Sequence, residues 1–168
     1  MSRFQSFSEA IDTVYTDARY DLGTERYLTA QEMSDWVASS AGPGVAIFVG
    51  IAAAGSVLAG STVSQATGTA DWSACVRSPV STSVARVVGV AQHIIALSSF
   101  GWILKRGFGE VLGDSAGGPG YAANVGLIVG TGTAGRALAA VALVDQVFGW
   151  STEAAGDAAL GTCYIDCR

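Results

Sequence analysis

Few residues in this sequence have a type and spacing that could do chemistry. The clearest pattern is residues 130–135, GTGTAG, which has the GxGxxG spacing of loops that hold the phosphates of a dinucleotide. Such a loop works inside a βαβ unit, with an acidic residue about 20 positions further on to hold the ribose. Asp145 is the first acidic residue after the motif, and the rest of the chain is too short for a doubly wound sheet. Close packing at these glycines is therefore favoured over nucleotide binding.

Catalytic and metal-binding side chains are also scarce. His93 is the only histidine, so a haem or a general base would depend on it alone. Cys163 and Cys167 have the spacing Cys-x3-Cys, but no second ligand pair accompanies them. The sequence therefore predicts no enzyme activity, no catalytic residues, no cofactor and no metal site.

The composition is unusual for a domain that faces water. Of 168 residues, 50% are apolar and 14% are charged, where about 25% charged is usual, and the mean hydropathy is +0.41. Nine Lys and Arg residues against 14 Asp and Glu residues give a net charge of -5, which argues against a nucleic-acid-binding surface. The apolar content also excludes disorder. These values predict a membrane protein that does not bind nucleic acid.

Three apolar stretches are long enough to cross a bilayer as helices, at about residues 45–63, 84–104 and 124–148. A span needs about 20 apolar helical residues, and no Asp, Glu, Lys or Arg occurs between Asp35 and Asp71. The predicted fold class is therefore all-α: an integral membrane three-helix bundle over residues 44–150, preceded by N-terminal amphipathic helices. A helical bundle outside the membrane, with buried Gly- and Ala-rich helices, is the alternative.

The N-terminal region, residues 1–43, has apolar residues at helical spacing. Residues 6–9 and 29–32 have the spacing of a capping box, in which a helix's first side chain and one three residues later bond each other's backbone. The second box opens a short helix that carries Met33 and Trp36. We expect two amphipathic helices that lie on the membrane surface or form a solvated cap on the bundle. Residues 151–168 form a short tail that contains cysteines.

The distribution of basic residues sets the predicted orientation. Five of them fall on the side of the N-terminus, so the positive-inside rule places the N-terminus inside and the C-terminus outside. All three cysteines, Cys75, Cys163 and Cys167, then lie outside, where a disulfide can persist. They allow one disulfide and one free thiol. Either Cys75 pairs with one of the other two, or Cys163 pairs with Cys167.

Four ionisable residues fall within the predicted spans: Arg86, His93, Arg136 and Asp145. Such residues usually face protein or water rather than lipid. Because the second and third spans run antiparallel, Arg86 and Asp145 are expected to form an ion pair near the outer boundary. His93 and Arg136 lie deeper and could line a polar pathway, although a structural polar contact is favoured over an ion route. Close helix packing is expected at Gly50, Gly55, Gly60, Gly126, Gly130 and Gly135.

Eight of the nine basic residues are Arg, only Lys105 is Lys, and acidic residues dominate the flanks. This Lys-poor, acidic, Ala-, Gly-, Val- and Thr-rich composition resembles that of small integral membrane proteins of haloarchaea and their viruses. A high-GC bacterial genome gives a similar bias. In high salt, repulsion among carboxylates is screened. The resemblance covers the whole chain and implies a structural component of an assembly such as the internal membrane of a virion.

Together these features predict a non-enzymatic structural protein of the cell membrane or a virion membrane, as a component of a larger membrane assembly. Its predicted partners are the lipid bilayer and other membrane or capsid-type proteins, in a homo- or hetero-oligomer. The alternative is a small channel, a holin-like pore or a transporter subunit, in which the polar residues would line the bundle interior. A redox or cofactor-binding subunit is a third hypothesis.

Overall fold

The computed structural model describes residues 10–52, 55–66, 72–79, 86–114, 120–140 and 147–167. Within these ranges the chain forms one sheet of ten strands that pair antiparallel, one α-helix and one short 3₁₀ helix. The helix α1 spans Ala30–Trp36, and the 3₁₀ helix spans Trp72–Ala74. The strands are β1 (Glu25–Leu28), β2 (Gly44–Gly50), β3 (Thr62–Gln65), β4 (Cys75–Arg77), β5 (Val87–Val90), β6 (Phe100–Leu112), β7 (Gly126–Val129), β8 (Ala137–Ala139), β9 (Gly149–Ser151) and β10 (Leu160–Asp166).

The long strand β6 organises the sheet. Its first half pairs with β2, from Phe100 opposite Gly50 to Arg106 opposite Val45. Its second half pairs with β10 over seven residue pairs. The strand order is β4-β3-β5-β6-β10-β9-β7-β8, and β1 pairs with β2. Strand β6 therefore joins the strands from the N-terminal part of the chain to those from the C-terminal part.

Strand β2 is buried on both faces, which explains its unbroken apolar sequence. Successive side chains of a strand point to opposite faces of the sheet. Phe48 belongs to one core cluster, with Trp102 of β6, whereas its neighbour Ile47 belongs to a second cluster, with Ile103. A strand that is covered on both sides needs apolar side chains at every position, so it shows no alternation.

The predicted first span, residues 45–63, is not a helix. Its described residues comprise most of β2, a loop and the first residues of β3, and residues 53–54 lie outside the described part of the chain. In the loop, Gly55 and Gly60 have φ angles of +91° and +77°. Glycine adopts this left-handed conformation without steric cost, so the chain can turn there. The lack of charge, which indicated a helix in lipid, comes from a doubly buried strand followed by an uncharged loop.

In their described residues, which leave out residues 84–85 of the second span, the other two predicted spans also consist of strands and turns. Residues 84–104 contain β5, a loop and the start of β6. Residues 124–148 contain β7, the glycine-rich turn and β8, and residues 141–146 lie outside the described part of the chain. Among the residues that are described, no helix has both the length and the apolar character to cross a membrane.

The prediction of an all-α membrane bundle of three helices is therefore wrong, because its spans are strands of one antiparallel sheet. The predicted membrane location and the N-inside orientation were deduced from those spans and are wrong with them. The same holds for both functions that needed helical spans, the structural membrane component and the channel, holin-like pore or transporter subunit.

Of the two predicted N-terminal helices, the second is present as α1. The side chain of Thr29 accepts a hydrogen bond from the Glu32 amide at 3.2 Å, and the Glu32 carboxylate accepts one from the Thr29 amide at 2.8 Å. The capping box predicted here is thus confirmed. The first helix is wrong for residues 10–19, where Tyr15 exchanges backbone hydrogen bonds with Phe100 of β6. The capping box predicted at residues 6–9 lies outside the described ranges.

Candidate functional site

Two loops run side by side and extend the pairing of β3 with β5. We call residues 55–61 and 91–98 the paired loops. Val57 and Ile95 exchange two backbone hydrogen bonds of 2.9 Å across them, which defines an antiparallel bridge. Their register is the one that continues into the pairing of β3 with β5. The paired loops are therefore an ordered extension of the sheet.

The paired loops carry large apolar side chains that are exposed. In the antiparallel register Leu58 lies opposite Ile94, next to the fully buried pair Val57 and Ile95. Because the bridge residues point into the core, their neighbours point outward. Leu58 is 46% exposed and Ile94 is 60% exposed, and Leu97 in the same loop is 47% exposed. We call Leu58, Ile94 and Leu97 the apolar patch.

No charged residue occurs in either of the paired loops. Residues 55–61 read GSVLAGS and residues 91–98 read AQHIIALS. Singly exposed apolar residues are common on protein surfaces, but adjacent ones on an uncharged segment mark contact surfaces. The apolar patch is thus a candidate surface for contact with another macromolecule.

His93, next to Ile94 in the paired loops, is held by helix α1. The indole Nε1–H of Trp36 donates a hydrogen bond to His93 Nδ1 at 3.2 Å. Burial lowers the pKa of His93 below its usual value of 6.5, and the negative charge of Asp12 opposes this shift more weakly. None of the described residues forms a hydrogen bond with the buried Nε2 atom of the same ring. His93 therefore links the paired loops to α1 as a neutral imidazole.

A cavity of about 290 Å³ lies beside α1. It is lined by Ala10, Ile11, Asp12, Arg26, Glu32, Asp35 and Trp36. The buried guanidinium of Arg26 donates to Glu32 Oε1 at 2.7 Å. The backbone hydrogen bond from Thr29, and then Arg26, hold the pKa of Glu32 below its usual 4.5. Both oxygens of Glu32 thus have partners within the chain, and this ion pair fixes α1 on β1.

The glycine-rich turn at residues 130–135 surrounds a carboxylate of the protein itself. Asp114, which follows β6, is fully buried. Its Oδ2 atom accepts hydrogen bonds from the amides of Gly132 at 2.7 Å and Thr133 at 3.1 Å. A Cβ atom on Gly130 would lie 2.3 Å from the same oxygen, so only glycine fits there. Two amides that a phosphate would need are therefore already bonded to an internal anion.

Three of the four polar residues that the sequence placed inside the spans are described by the structure: Arg86, His93 and Arg136. His93 contacts Trp36, and Arg136 forms an ion pair with Asp157. Arg86 is exposed and lines a second cavity, of about 130 Å³. Asp145, its predicted partner, lies outside the described residues. The structure therefore gives His93 and Arg136 different partners, on different parts of the sheet.

The six glycines predicted to pack helices lie in strands and turns: Gly50, Gly55, Gly60, Gly126, Gly130 and Gly135. Several do permit a close approach, as small residues should. A Cβ atom on Gly50 would lie 2.8 Å from the Phe100 ring, and one on Gly60 would lie 2.3 Å from Leu160. These glycines therefore allow close packing between neighbouring strands and turns, and not between helices.

All three cysteines are buried, and none forms a disulfide: Cys75, Cys163 and Cys167. The predicted disulfide is therefore wrong. The thiol of Cys163 donates a hydrogen bond to the Tyr121 hydroxyl at 3.4 Å, and that hydroxyl donates to the Val111 carbonyl at 2.6 Å. Burial raises the pKa of Cys163 to about 11 and that of Cys167 to about 12. Both thiols are therefore protonated at neutral pH and unreactive.

Sequence reasoning missed the apolar patch and the contact between Trp36 and His93. The patch residues were assigned to helices that would face lipid, where exposure of Leu58 and Ile94 would need no protein partner. A signal was present, because short apolar runs between Gly and Ser residues are also typical of strands with turns. Trp36 and His93 are 57 positions apart, and no local pattern joins them. Among the described residues, no group of three or more His, Cys, Asp and Glu side chains could hold a metal ion.

Fold and site together define a class: a β-sheet domain with an uncharged, apolar loop surface. No family model matches this sequence, and comparison with the curated proteins finds no match. Among solved structures, the chain is similar to the head fiber gp8.5 N base of bacteriophage phi29. The two share 17% sequence identity with a TM-score of 0.49, over 73% of this chain and 94% of the other. A similarity of this size establishes neither a common fold nor a common function.

Proposed function

We propose that this chain is a non-enzymatic assembly protein, which works by associating with further copies of itself through the apolar patch. The observation that carries the proposal is the outward pair of Leu58 and Ile94 on the ordered paired loops. Burying such side chains is favourable by about 25 cal/mol per Å² of apolar surface. Because the loops are extensions of the sheet, little conformational entropy opposes their burial.

The charge of the chain favours this surface for contact between like copies. Each copy carries a net charge of -5, so two copies repel each other at long range. The paired loops contain no Asp, Glu, Lys or Arg, and contact there places no like charges directly opposite each other. Association should therefore become stronger as salt screens the remaining repulsion. A hetero-oligomer, including one with a capsid-type protein, would use the same surface. We also propose that the chain does not bind nucleic acid, because its net charge is negative.

Sedimentation equilibrium of the full chain tests the proposal, at about 0.1 M and about 2 M NaCl. We expect a concentration-dependent oligomer that strengthens with salt and weakens at least about tenfold in the double variant Leu58→Ser, Ile94→Ser. The matched control is Tyr27→Ser, which removes a large side chain that is 80% exposed on β1, outside the paired loops. A wild-type chain that stays monomeric at both salt concentrations overturns the proposal. Equal weakening by the control variant also contradicts it.

A further inference from the structure

The hydrogen bond between Trp36 and His93 fixes which nitrogen of the imidazole carries a proton. An indole N–H can only donate, so the Nδ1 atom of His93 that accepts from it, at 3.2 Å, must be unprotonated. The proton of the neutral ring is then on Nε2. The two rings lie 6.0 Å apart at a tilt of 50°, so the contact is a hydrogen bond at the ring edge and not a stack.

A charged imidazolium does not fit this position. A proton added to Nδ1 would point at the indole N–H, and two donors repel each other. On the other side of the ring, none of the described residues accepts a hydrogen bond from the buried Nε2, which lies 3.5 Å from the Cβ position of Gly101 on β6. Burying an ion without a hydrogen-bonded partner is costly. The closed contact therefore requires the neutral ring.

The acidic groups around His93 do not remove this conflict. Asp12 is the group whose charge favours the protonated ring, and burial outweighs it. On α1, the Asp35 carboxylate accepts from the Gln31 amide at 2.8 Å. On β6, the Glu110 carboxylate accepts from the Ser39 hydroxyl at 3.4 Å. Each of these two carboxylates thus already accepts a hydrogen bond from another side chain.

We propose that the Trp36–His93 hydrogen bond is a proton-sensitive latch: protonation of His93 opens it, separates α1 from the paired loops and weakens self-association. The link from latch to self-association rests on the proposed function, because Ile94 of the apolar patch is the next residue after His93. The opening of the latch itself depends only on the geometry of the two rings. No bond other than hydrogen bonds changes, and the proton comes from solvent.

The direction of the pH effect follows from linkage. In the unfolded chain His93 has its ordinary pKa near 6.5, and in the folded chain that pKa is lower. Above 6.5 both states are neutral at this site and the latch is closed. As the pH falls from 6.5 through the lowered pKa, the unfolded or opened form binds the proton first, so the closed form loses stability.

The titration of His93 by NMR tests the latch, and its signal is unambiguous because the chain has one histidine. In the wild-type chain we expect a midpoint below 6.5. Trp36→Phe keeps an aromatic ring and removes the N–H donor, so the proton affinity of His93 should rise about threefold to tenfold. An unchanged midpoint in Trp36→Phe, or a wild-type midpoint at or above 6.5, overturns the latch.

A second variant separates the latch from other acid effects. His93→Gln keeps a hydrogen-bond acceptor for the indole and cannot titrate between about pH 8 and pH 5. Hydrogen exchange at the Trp36 indole, compared between wild type and His93→Gln at each pH, should accelerate on acidification only in the wild type. Equal acceleration in both proteins contradicts the latch.

Sedimentation at about pH 7.5 and at a pH below the measured midpoint of His93 then distinguishes the two proposals. If both hold, acid dissociates the wild-type oligomer and leaves the His93→Gln oligomer intact. A chain that is monomeric at both pH values, but whose indole exchange still responds to His93, retains the latch and overturns the assembly function. An oligomer whose indole exchange is independent of His93 retains the assembly function and overturns the latch.

Discussion

The carboxylate of Asp114 accepts a hydrogen bond of 2.7 Å from the backbone amide of Gly132. This contact places an acidic side chain where a nucleotide-binding loop of the same spacing would hold a phosphate. The loop thus has the anion-binding property that its glycines suggest, but the anion is supplied by the turn after β6. The amides of this turn therefore stabilise the fold by binding Asp114.

Asp114→Ala should destabilise the protein by about 2–4 kcal/mol, through the loss of charge-assisted hydrogen bonds. The substitution leaves the amides of Gly132 and Thr133 without their charge-assisted acceptor, each such bond being worth about 1.5–3 kcal/mol, and the fully buried site gives them little access to water. Urea denaturation followed by tryptophan fluorescence measures the change. Asp17→Ala, at an exposed position, is the control and should stay within about 0.5 kcal/mol of wild type.

Gly130→Ala tests the same contact from the side of the loop. Its methyl group would lie 2.3 Å from Asp114 Oδ2, so either the carboxylate or the turn must shift. We expect a loss of about 1–3 kcal/mol, as for overpacking in a core. If the two substitutions act on one contact, the double variant should lose less than the sum of the single losses. Full additivity would show that the loop and Asp114 are independent.

The membrane prediction was wrong because a helix in lipid and a strand that is buried on both faces have the same apolar, uncharged sequence pattern. Residues 45–63 are apolar because β2 is covered on both faces and the loop after it is uncharged. A helix in lipid has the same composition, and hydropathy does not separate the two. What separates them is the pairing of β2 with β6, and those partners are 50 or more residues apart. Gly55 and Gly60, interpreted as packing positions, were the local sign of turns.

Local structure could be predicted where its cause is local. The capping box from Thr29 to Glu32 involves four consecutive residues, and the structure has it. The candidate site depends on contacts between distant parts of the chain: Trp36 reaches His93, and Leu58 lies opposite Ile94. Pairs of this kind follow from the register of the sheet, which one sequence does not reveal.

Glu32→Gln should destabilise α1 by about 1 kcal/mol at neutral pH. The variant loses the charge that caps the helix start and pairs with buried Arg26. The pKa of Glu32 is held below 4.5, so its contribution is complete above 4.5 and is lost as the pH falls through the lowered value. The melting temperatures of wild type and Glu32→Gln, measured between about pH 7 and pH 3, should therefore become equal at the acid end.

Thr29→Ala is the comparison that makes this assignment specific. It removes the hydroxyl that accepts from the Glu32 amide, and a hydroxyl does not titrate in this range. Its deficit, about 1 kcal/mol, should persist at low pH. If the loss of stability in Glu32→Gln also persisted at low pH, the charge of Glu32 would make no contribution to stability.

The cysteines should be inert in the native protein and fully reactive in the unfolded one. All three are buried, and burial raises the pKa of Cys163 to about 11 and that of Cys167 to about 12. At about pH 8, alkylation monitored by mass spectrometry should leave the native chain unmodified. In denaturant without reductant all three thiols should react. Two thiols that react only after reduction would restore the disulfide predicted from the sequence.

Adjacent substitutions in β2 should both be severe, because neighbouring side chains enter different core clusters. Ile47→Ala removes a side chain packed with Ile103, and Phe48→Ala one packed with Trp102. We expect losses of about 2–5 and about 3–5 kcal/mol in urea denaturation, since both side chains are fully buried. Tyr27→Ala, on the exposed side of β1, should change stability by less than about 0.5 kcal/mol. A small loss at either β2 position would mean that one face of this strand is not covered by protein, and would contradict the two-sided core.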